Sequence, residues 1–322
     1  MSKRRIRLIV GVCAVLAIAI IALVMRNREP SYQGKSLSDW LGTNAFSKSS
    51  PSLTPETQEA IRHMGTNALP FLVEWVHYYS YDPACNSFKK RVRSFLPSLP
   101  YTLRHTLTRW ADRDEVEIRS QAAQFAFEPL GDLARPAIPE LSAMMNQSAY
   151  RDRSVKAILS LGFIGKTAIP ALSDALENTN APNRRVTAGI FGWSPSLVTN
   201  SASVLPLLVR CLNDPNMDVR AGAAYSLGKM AAFDPAQATL VVPALTNCLT
   251  ITQWSDASQR VTVIDALGAY GALAKEATPL LFRETKAETF MGVFKLPDPV
   301  RIAATNALLK ISPEALENAP SK

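Results

Sequence analysis

The sequence has few of the residues that usually carry out chemistry or bind metals. Its 322 residues include only four cysteines and three histidines. His63, His77 and His105 show no metal-ligand spacing such as His-x-x-x-His. A CxxCH haem motif, a phosphate-binding glycine loop and a nucleophile elbow are also absent. We therefore expect no catalysis, no cofactor and no metal site.

A basic surface for nucleic acid is lacking too. The formal net charge is +8, but residues 1–28 hold six Lys and Arg residues and no acid. Residues 29–322 contain 29 basic and 27 acidic residues, a net charge of only +2. Because nucleic-acid-binding domains concentrate positive charge on one face, we expect no nucleic-acid partner.

One long hydrophobic run stands near the start of the chain. From Leu8 to Met25, 18 residues pass without a charged side chain, close to the ~20 apolar residues that cross a bilayer. Basic residues flank this run: Lys3, Arg4, Arg5 and Arg7 precede it, and Arg26 and Arg28 follow it. We expect residues 1–28 to form an uncleaved signal anchor, a single transmembrane helix.

The flanks of this run predict how the chain is oriented. The larger basic group lies on the N-terminal side, which favours a cytoplasmic N-terminus. The rest of the chain would then be extracytoplasmic, in the periplasm if the cell is bacterial. A cleaved signal peptide is the alternative, but the run passes directly into Met25-Arg26-Asn27-Arg28 without the small residues of a cleavage site.

A proline recurs at a nearly constant interval in the remaining sequence. Pro139, Pro170, Pro206, Pro243 and Pro279 stand 31, 36, 37 and 36 residues apart, and each is followed two residues later by leucine. Leu69-Pro70-Phe71-Leu72 lies 69 residues upstream, about two periods. Such a period is typical of stacked supersecondary repeats. We expect an all-α fold, a right-handed α-solenoid of about six to seven helix pairs.

The proline also sets the phase within each pair, because it suits the first turn of a helix. Apolar residues follow at positions +2, +5 and +6, as in Leu208, Cys211 and Leu212, and form one buried stripe. Positions +3 and +4 should face away from that stripe. Polar side chains stand at +4 of four repeats: Asp174, Arg210, Asn247 and Arg283.

The first helix of each pair carries small residues in a repeated pattern. Examples are residues 219–228, with Ala221, Gly222 and Ala223, and residues 300–308. Alanine and glycine at these positions should let neighbouring helices approach closely. We expect Gly162, Gly228 and Gly268 to close the first helices in a left-handed conformation.

Residues 212–228 resemble a HEAT repeat of the phycobilisome-lyase-like kind. The resemblance rests on Leu212-Asn213-Asp214-Pro215, on Val219-Arg220 and on Ser226-Leu227-Gly228. Asp298-Pro299-Val300-Arg301 repeats the turn in shorter form. The likeness is strong over residues 203–311, good over 116–178 and weak over 51–110.

This resemblance implies structural roles for the turn Asp and the helix Arg, which brace one repeat against the next in that family. Asp218, Arg220 and Arg301 would do so here. Some HEAT-like proteins are di-iron hydroxylases with His-Glu pairs, but Met64, Tyr78 and Thr106 follow the three histidines in this chain. The family also includes bilin lyases, whose cytoplasmic acceptors do not fit an exported domain.

One interval, between Pro70 and Pro139, breaks the repeat. Phe88, Val92 and Phe95 stand at i, i+4 and i+7 of an expected amphipathic helix. Six basic residues and no acid occupy residues 86–110. This basic patch is Lys89, Lys90, Arg91, Arg93, Arg104 and Arg109. It is either an ordinary solvated helix face or a contact for anionic lipid headgroups or an acidic partner.

The sequence divides into four parts on these grounds. Residues 1–28 are the anchor, 29–55 a linker with a short capping helix, 56–312 the HEAT-repeat solenoid and 313–322 a tail. Ser36 and Asp39 resemble a helix-capping pair, and Leu37, Trp40 and Leu41 share one face. This short helix would cover the exposed end of the first repeat.

The cysteines and the aromatic residues outside the repeats have ordinary explanations. Cys211 and Cys248 occupy equivalent repeat positions and should pack in the core without a disulfide, because stacked helices usually lie 8–10 Å apart. Cys85 should be an exposed thiol. Five apolar residues expected in loops form a further possible contact surface, although loop packing accounts for them equally: Trp193, Trp254, Phe290, Met291 and Phe294.

The sequence therefore favours a membrane-anchored scaffold without catalysis of its own. Asp174, Arg210, Asn247 and Arg283 would line an inner surface that binds a protein or peptide partner of unknown identity. The alternative is a ligand-holding accessory or lyase-like enzyme that uses the concave face. Neither the partner nor the oligomeric state follows from these patterns.

Overall fold

The computed structural model describes residues 29–42, 45–46, 52–77, 115–147, 151–179, 183–199, 201–250, 256–286 and 299–317. Over these ranges the protein is all-α apart from a two-stranded hairpin and an isolated bridge between Phe46 and Leu53. The expected anchor, residues 1–28, and the basic patch of residues 86–110 lie outside them. Within the described ranges, no helix is both long and apolar enough to cross a bilayer.

The hairpin consists of β1 (Ser31–Tyr32) and β2 (Lys35–Ser36), which pair antiparallel. The helices, in chain order, are α1 (Leu37–Trp40), α2 (Pro55–Met64), α3 (Leu69–His77), α4 (Glu115–Phe125), α5 (Phe127–Leu130), α6 (Ile138–Met145), α7 (Arg151–Ile164), α8 (Ile169–Glu177), α9 (Arg184–Trp193), α10 (Pro195–Val198), α11 (Leu205–Cys211), α12 (Met217–Met230), α13 (Ala238–Thr250), α14 (Ala257–Ala269), α15 (Thr278–Glu284), α16 (Pro299–Ile311) and α17 (Glu314–Glu317).

The helices alternate between longer first helices and shorter second helices. The first helices are α2, α4, α7, α9, α12, α14 and α16, and the second helices are α3, α6, α8, α11, α13 and α15. From α4 onward each first helix contacts the next one along the chain. Successive pairs therefore pack in chain order, as the repeated sequence predicts.

The repeated proline lies in the first turn of five of these second helices, among them Pro206 in α11 and Pro279 in α15. The expectation is wrong for Pro243, which lies inside α13 because that helix begins at Ala238. The additional turn at the start of α13 carries Val241 and Val242, which are both buried in the core. Burial of these side chains offsets the backbone hydrogen bond that an interior proline removes.

Burial follows the proline phase closely. Leu208, Cys211 and Leu212 are buried at +2, +5 and +6, and the equivalent residues of α6, α8 and α13 are buried as well. Position +4 is exposed in each second helix, whereas +3 is half-buried in all except α3, where Val73 is buried. The expected division of faces is therefore confirmed for +4 and is less complete for +3.

Glycines with positive φ close several first helices, but not at the residues expected. Gly162, Gly228 and Gly268 lie within α7, α12 and α14, so the prediction of a left-handed conformation there is wrong. Gly165 and Gly271, each three residues further on, have φ of +87° and +53°. Each precedes or begins a short 3₁₀ segment that leads into the second helix. The interior glycines serve packing instead.

Small residues bring the first helices into backbone contact. A Cβ atom added at Gly228 of α12 would lie 2.9 Å from Ala266 Cα of α14, and one at Gly192 of α9 would lie 2.6 Å from Ser226 Cα of α12. Real Cβ atoms do not approach other atoms this closely. The predicted close approach of these helices is confirmed.

Buried hydroxyl groups join the same helices across these contacts. Ser226 Oγ donates to the carbonyl of Ala188 at 2.6 Å, and the Tyr270 hydroxyl donates to the carbonyl of Leu227 at 3.0 Å. Ser194 Oγ donates to the carbonyl of Gly162 at 2.7 Å. Each bond satisfies a buried polar group and fixes the register of one first helix on the preceding one.

The N-terminal hairpin and α1 pack on α2 at one end of the array. Ser36 caps α1 and forms a reciprocal capping box with Asp39, as expected. Leu37 and Leu41 are fully buried. The Tyr32 ring stacks on His63 of α2 with a centroid distance of 4.5 Å. The hairpin itself was not anticipated, since its four strand residues have no alternating pattern.

Two helix-interior glycines at the α9–α12 contact should respond oppositely to substitution by alanine. A Cβ at Gly222 would lie 2.6 Å from the carbonyl oxygen of Arg185, whereas a Cβ at Gly189 would meet no atom within 4 Å. We expect Gly222→Ala to lower the free energy of unfolding by about 1–3 kcal/mol through overpacking. Gly189→Ala should raise it by about 0.5–1 kcal/mol because alanine favours helix.

Urea denaturation followed by far-UV circular dichroism measures both effects. Equal shifts of the two variants in the same direction would contradict the backbone contact between α9 and α12.

Candidate functional site

The four residues expected to bind a partner lie at equivalent positions of successive second helices. Asp174 is on α8, Arg210 on α11, Asn247 on α13 and Arg283 on α15, and all four side chains are exposed. We call this set the second-helix row. Its exposure agrees with the sequence analysis, while its role in binding stays a prediction.

Two members of the second-helix row connect neighbouring pairs. Arg210 Nη2 donates to Glu177 Oε1 of α8 at 2.6 Å. Asn247 Nδ2 donates to Asn213 Oδ1, just after α11, at 3.3 Å. The Arg210 and Glu177 side chains are 69% and 56% exposed, so water and salt screen this ion pair. Such contacts orient the row and leave its polar groups accessible.

A buried ion pair lies beneath this row. Arg184 Nη2 of α9 contacts Asp214 Oδ2 at 2.7 Å, with side chains only 9% and 8% exposed. The Nε and Nη2 atoms of Arg184 also donate to the carbonyl of Leu176 in α8. Arg184 thus joins three consecutive repeats through one guanidinium group. The sequence pattern does not predict this pair, although Asp214 is part of the repeated turn.

The three residues predicted to brace one repeat against the next, Asp218, Arg220 and Arg301, make different contacts. Arg220 donates to the carbonyls of Asp214 and Pro215, so it holds the turn of its own repeat. Asp218 accepts a hydrogen bond of 2.7 Å from Gln259 of α14, which does link one repeat to the next. Arg301 is exposed on α16, and the turn before it lies outside the described residues.

A second buried acid occupies a position where the repeat usually has an apolar residue. Glu284, at +5 of α15, has a side chain that is 2% exposed, and its Oε2 lies 2.6 Å from Arg260 Nη2 of α14. Burial of a carboxylate is costly unless a cation accompanies it. Arg260 therefore holds the two helices of this pair together.

The two cysteines of the repeats are buried and free, as expected. Burial raises the pKa of the Cys211 thiol and of the Cys248 thiol to about 11. Both thiols stay protonated at neutral pH and are poor nucleophiles. Cys85 lies outside the described residues. In the described part of the chain, no three His, Cys, Asp or Glu residues are grouped to hold a metal ion.

An open groove of about 510 Å³ lies on the first-helix side, across α7, α9, α12 and α14. Arg185, Gly189 and Trp193 of α9 and Tyr225 of α12 are among the residues that line it. Trp193 is the last residue of α9 rather than a loop residue, and it is 51% exposed. The other four residues expected in loops, Trp254, Phe290, Met291 and Phe294, lie outside the described residues. We call the open groove across these four first helices the first-helix groove.

Comparison with protein families identifies one repeat of the array. Residues 204–233, which contain α11 and α12, match the family model described as HEAT repeat. This segment is similar to a HEAT repeat. The match and the all-helical structure together support a HEAT-repeat protein. No curated protein matches the chain.

The buried and exposed ion pairs should differ sharply in their contribution to stability. We expect Asp214→Ala to lower the free energy of unfolding by about 3–5 kcal/mol, because Arg184 would keep a buried charge without its partner. The exposed partner of Arg210 provides the control, and Glu177→Ala should cost less than about 1 kcal/mol.

Urea midpoints measured with an unchanged slope give these values directly. A loss below about 1 kcal/mol for Asp214→Ala would show that the buried pair does not join the repeats.

Proposed function

We propose that the protein is a membrane-anchored HEAT-repeat scaffold that binds a protein or peptide partner and has no catalysis of its own. In this proposal the helix pairs form a right-handed α-solenoid of the phycobilisome-lyase-like kind. Residues 1–28 anchor it, and the solenoid is extracytoplasmic, periplasmic if the cell is bacterial. HEAT repeats commonly serve as scaffolds for protein interaction.

The second-helix row is the observation that carries this proposal. Four polar side chains recur at one helical position in four successive repeats and are exposed in each. Repeat arrays bind partners through such shared surfaces, in which each repeat contributes a few contacts. The row contains one acidic, two basic and one amide side chain, which suits hydrogen bonding to an extended polypeptide better than it suits a small apolar ligand.

The structure next to the expected anchor supports a short connection to the membrane. Glu29 already accepts a hydrogen bond of 2.9 Å from the Ser38 backbone N–H, and the Pro30 carbonyl accepts one of 2.9 Å from Leu37. Only three residues, 26–28, separate this packed hairpin from Met25 at the end of the hydrophobic run. Since an extended residue spans about 3.5 Å, Glu29 at the start of the hairpin would lie within roughly 14 Å of Met25.

Site-specific photocrosslinking in native membranes tests the proposal. Benzoylphenylalanine replaces Asn247 or Arg283 in the full-length chain, and the membranes are washed with alkaline carbonate before irradiation. We expect the protein to stay in the membrane pellet and to give discrete protein adducts from both positions. The control replaces Asn306, an exposed residue of the first helix α16, and should give none.

Each outcome bears on a separate part of the proposal. Release by carbonate would contradict the anchor. Adducts from Asn306 alone, or from no position, would contradict binding at the second-helix row. A small chromophore or other ligand that co-purifies and is lost on substitution of the row would instead favour the ligand-holding accessory or lyase-like enzyme.

A further inference from the structure

The first-helix groove contains a glycine that packing does not require. An added Cβ at Gly189 would meet no atom within 4 Å, although the residue lies in the interior of α9. An interior glycine costs a helix about 0.5–1 kcal/mol relative to alanine. Gly222, on the facing helix, is fully explained by its contact with the backbone of α9. Gly189 keeps open the floor of the groove at a cost to stability.

The side chains around this floor form an ordered set. Arg185, Gly189 and Trp193 stand at i, i+4 and i+8, so they lie along one face of α9. Tyr225 of α12 borders the same space. Lys229 follows one turn later, with its Nζ 5.5 Å from the centre of the Tyr225 ring. Two aromatic rings thus border an apolar floor, with a cation towards each end.

The direction of the helices places the two cations apart. Gly222 contacts the backbone of Arg185, while Ser226 and Lys229 lie against Gly192, so α9 and α12 run in the same direction. Arg185 therefore marks one end of the groove, and Lys229 marks the end next to Trp193. Seven residues of rise, from Gly222 to Lys229, separate these levels, roughly 10 Å along the helix axis.

The groove is positively charged. Among the described residues, no acidic side chain lines it, and neither Arg185 nor Lys229 forms an ion pair with any of them. Asp256, which caps α14, lies close enough to interact with Arg185. Hydrogen bonds from Ser258 lower the pKa of the Asp256 carboxyl, and the charge of Arg185 lowers it further. Lys229 is the less compensated cation.

We propose that the first-helix groove binds an acidic peptide segment of a partner protein, in which a bulky apolar side chain is flanked by carboxylates. The apolar side chain occupies the space over Gly189 between Trp193 and Tyr225, and the carboxylates face Lys229 and Arg185. This proposal rests on the proposed scaffold function and adds a second surface, on the opposite helices of the pairs.

The aromatic side chains and the flanking charges favour the acidic peptide segment over a purely apolar ligand. Exposed tryptophan and partly buried tyrosine are the side chains that most often dominate binding energy at interfaces. The flanking cations add charge complementarity, which increases association rate and selects against basic partners. Because these charges are exposed, the affinity should fall as salt rises.

Phage display of random 12-residue peptides on the full-length protein in nanodiscs of uncharged lipid tests the proposal. Selected clones are tested again on the Gly189→Leu variant, in which a leucine fills the groove floor. We expect the clones lost on this variant to be enriched in Trp, Phe or Leu flanked by Asp or Glu. Synthetic, fluorescein-labelled copies should bind Gly189→Leu at least about 10-fold more weakly by anisotropy.

Charge and folding controls accompany this comparison. Lys229→Glu should weaken the same peptides about 5-fold at low salt and less at high salt. The melting temperature of Gly189→Leu should equal or exceed that of the wild type, since the added side chain enters open space. Clones that bind both proteins equally, clones without acidic residues, or a selection that yields no clone would overturn the proposal.

A double variant separates this proposal from the scaffold function on which it rests. Arg210→Ala with Asn247→Ala changes the second-helix row and leaves the groove intact. Peptides that lose affinity for this variant alone support the scaffold and overturn the groove. Peptides that lose affinity for neither variant overturn both. Self-association that Gly189→Leu abolishes would identify a second copy of the chain as the occupant and also overturn the peptide proposal.

Discussion

The backbone contact between successive first helices is the constraint on which the rest of the fold depends. Glycine, alanine and serine at the contact leave no room for larger side chains: a Cβ at Gly268 would lie 3.2 Å from both Cα and Cβ of Ala307. Hydroxyl groups of Ser226 and Tyr270 then bond across the contact to carbonyls of the preceding helix. The distance between successive first helices and their register are both set by main-chain contacts, so they vary little with side-chain conformation.

This contact determines what the other faces can do. Because first helices meet through backbone, the shorter second helices are left to meet through longer side chains such as Arg210 and Glu177. The buried Arg184–Asp214 pair lies between these two layers and joins the turns of consecutive repeats. The same close packing leaves a groove where Gly189 has no opposing atom. Two surfaces of different character therefore arise from one repeated unit.

The sequence predicted those features that depend on periodicity. Counting from the proline identified the buried +2, +5 and +6 positions and the exposed +4 position, and the small residues identified the close contact. It also identified the capping pair of Ser36 and Asp39. These features are local or recur at a fixed spacing, so a single pattern contains the information.

Features that depend on contacts between repeats were not predictable in the same way. The partner of Arg184 is 30 residues away, and no local pattern distinguishes Asp214 from Asp218 as the buried acid. Pro243 lies inside its helix because of burial of Val241 and Val242, a tertiary effect. The groove requires four helices at once, and the sequence pointed to Trp193 only as a possible loop contact, not as a helix residue that lines a groove. The glycines with positive φ, Gly165 and Gly271, lie three residues after the predicted ones. Gly162 and Gly268 serve the packing of neighbouring helices instead of helix termination.

Distances between spin labels on the second-helix row test most directly whether the repeats stack at a regular step. Cysteines would replace Asp174, Arg210, Asn247 and Arg283 two at a time, with Cys13 and Cys85 changed to serine. Since packed helices lie about 8–10 Å apart, the distance from position 174 should increase by roughly 10 Å with each repeat, from 210 to 247 to 283. Pulsed electron paramagnetic resonance distances that fail to increase in this order would contradict the account.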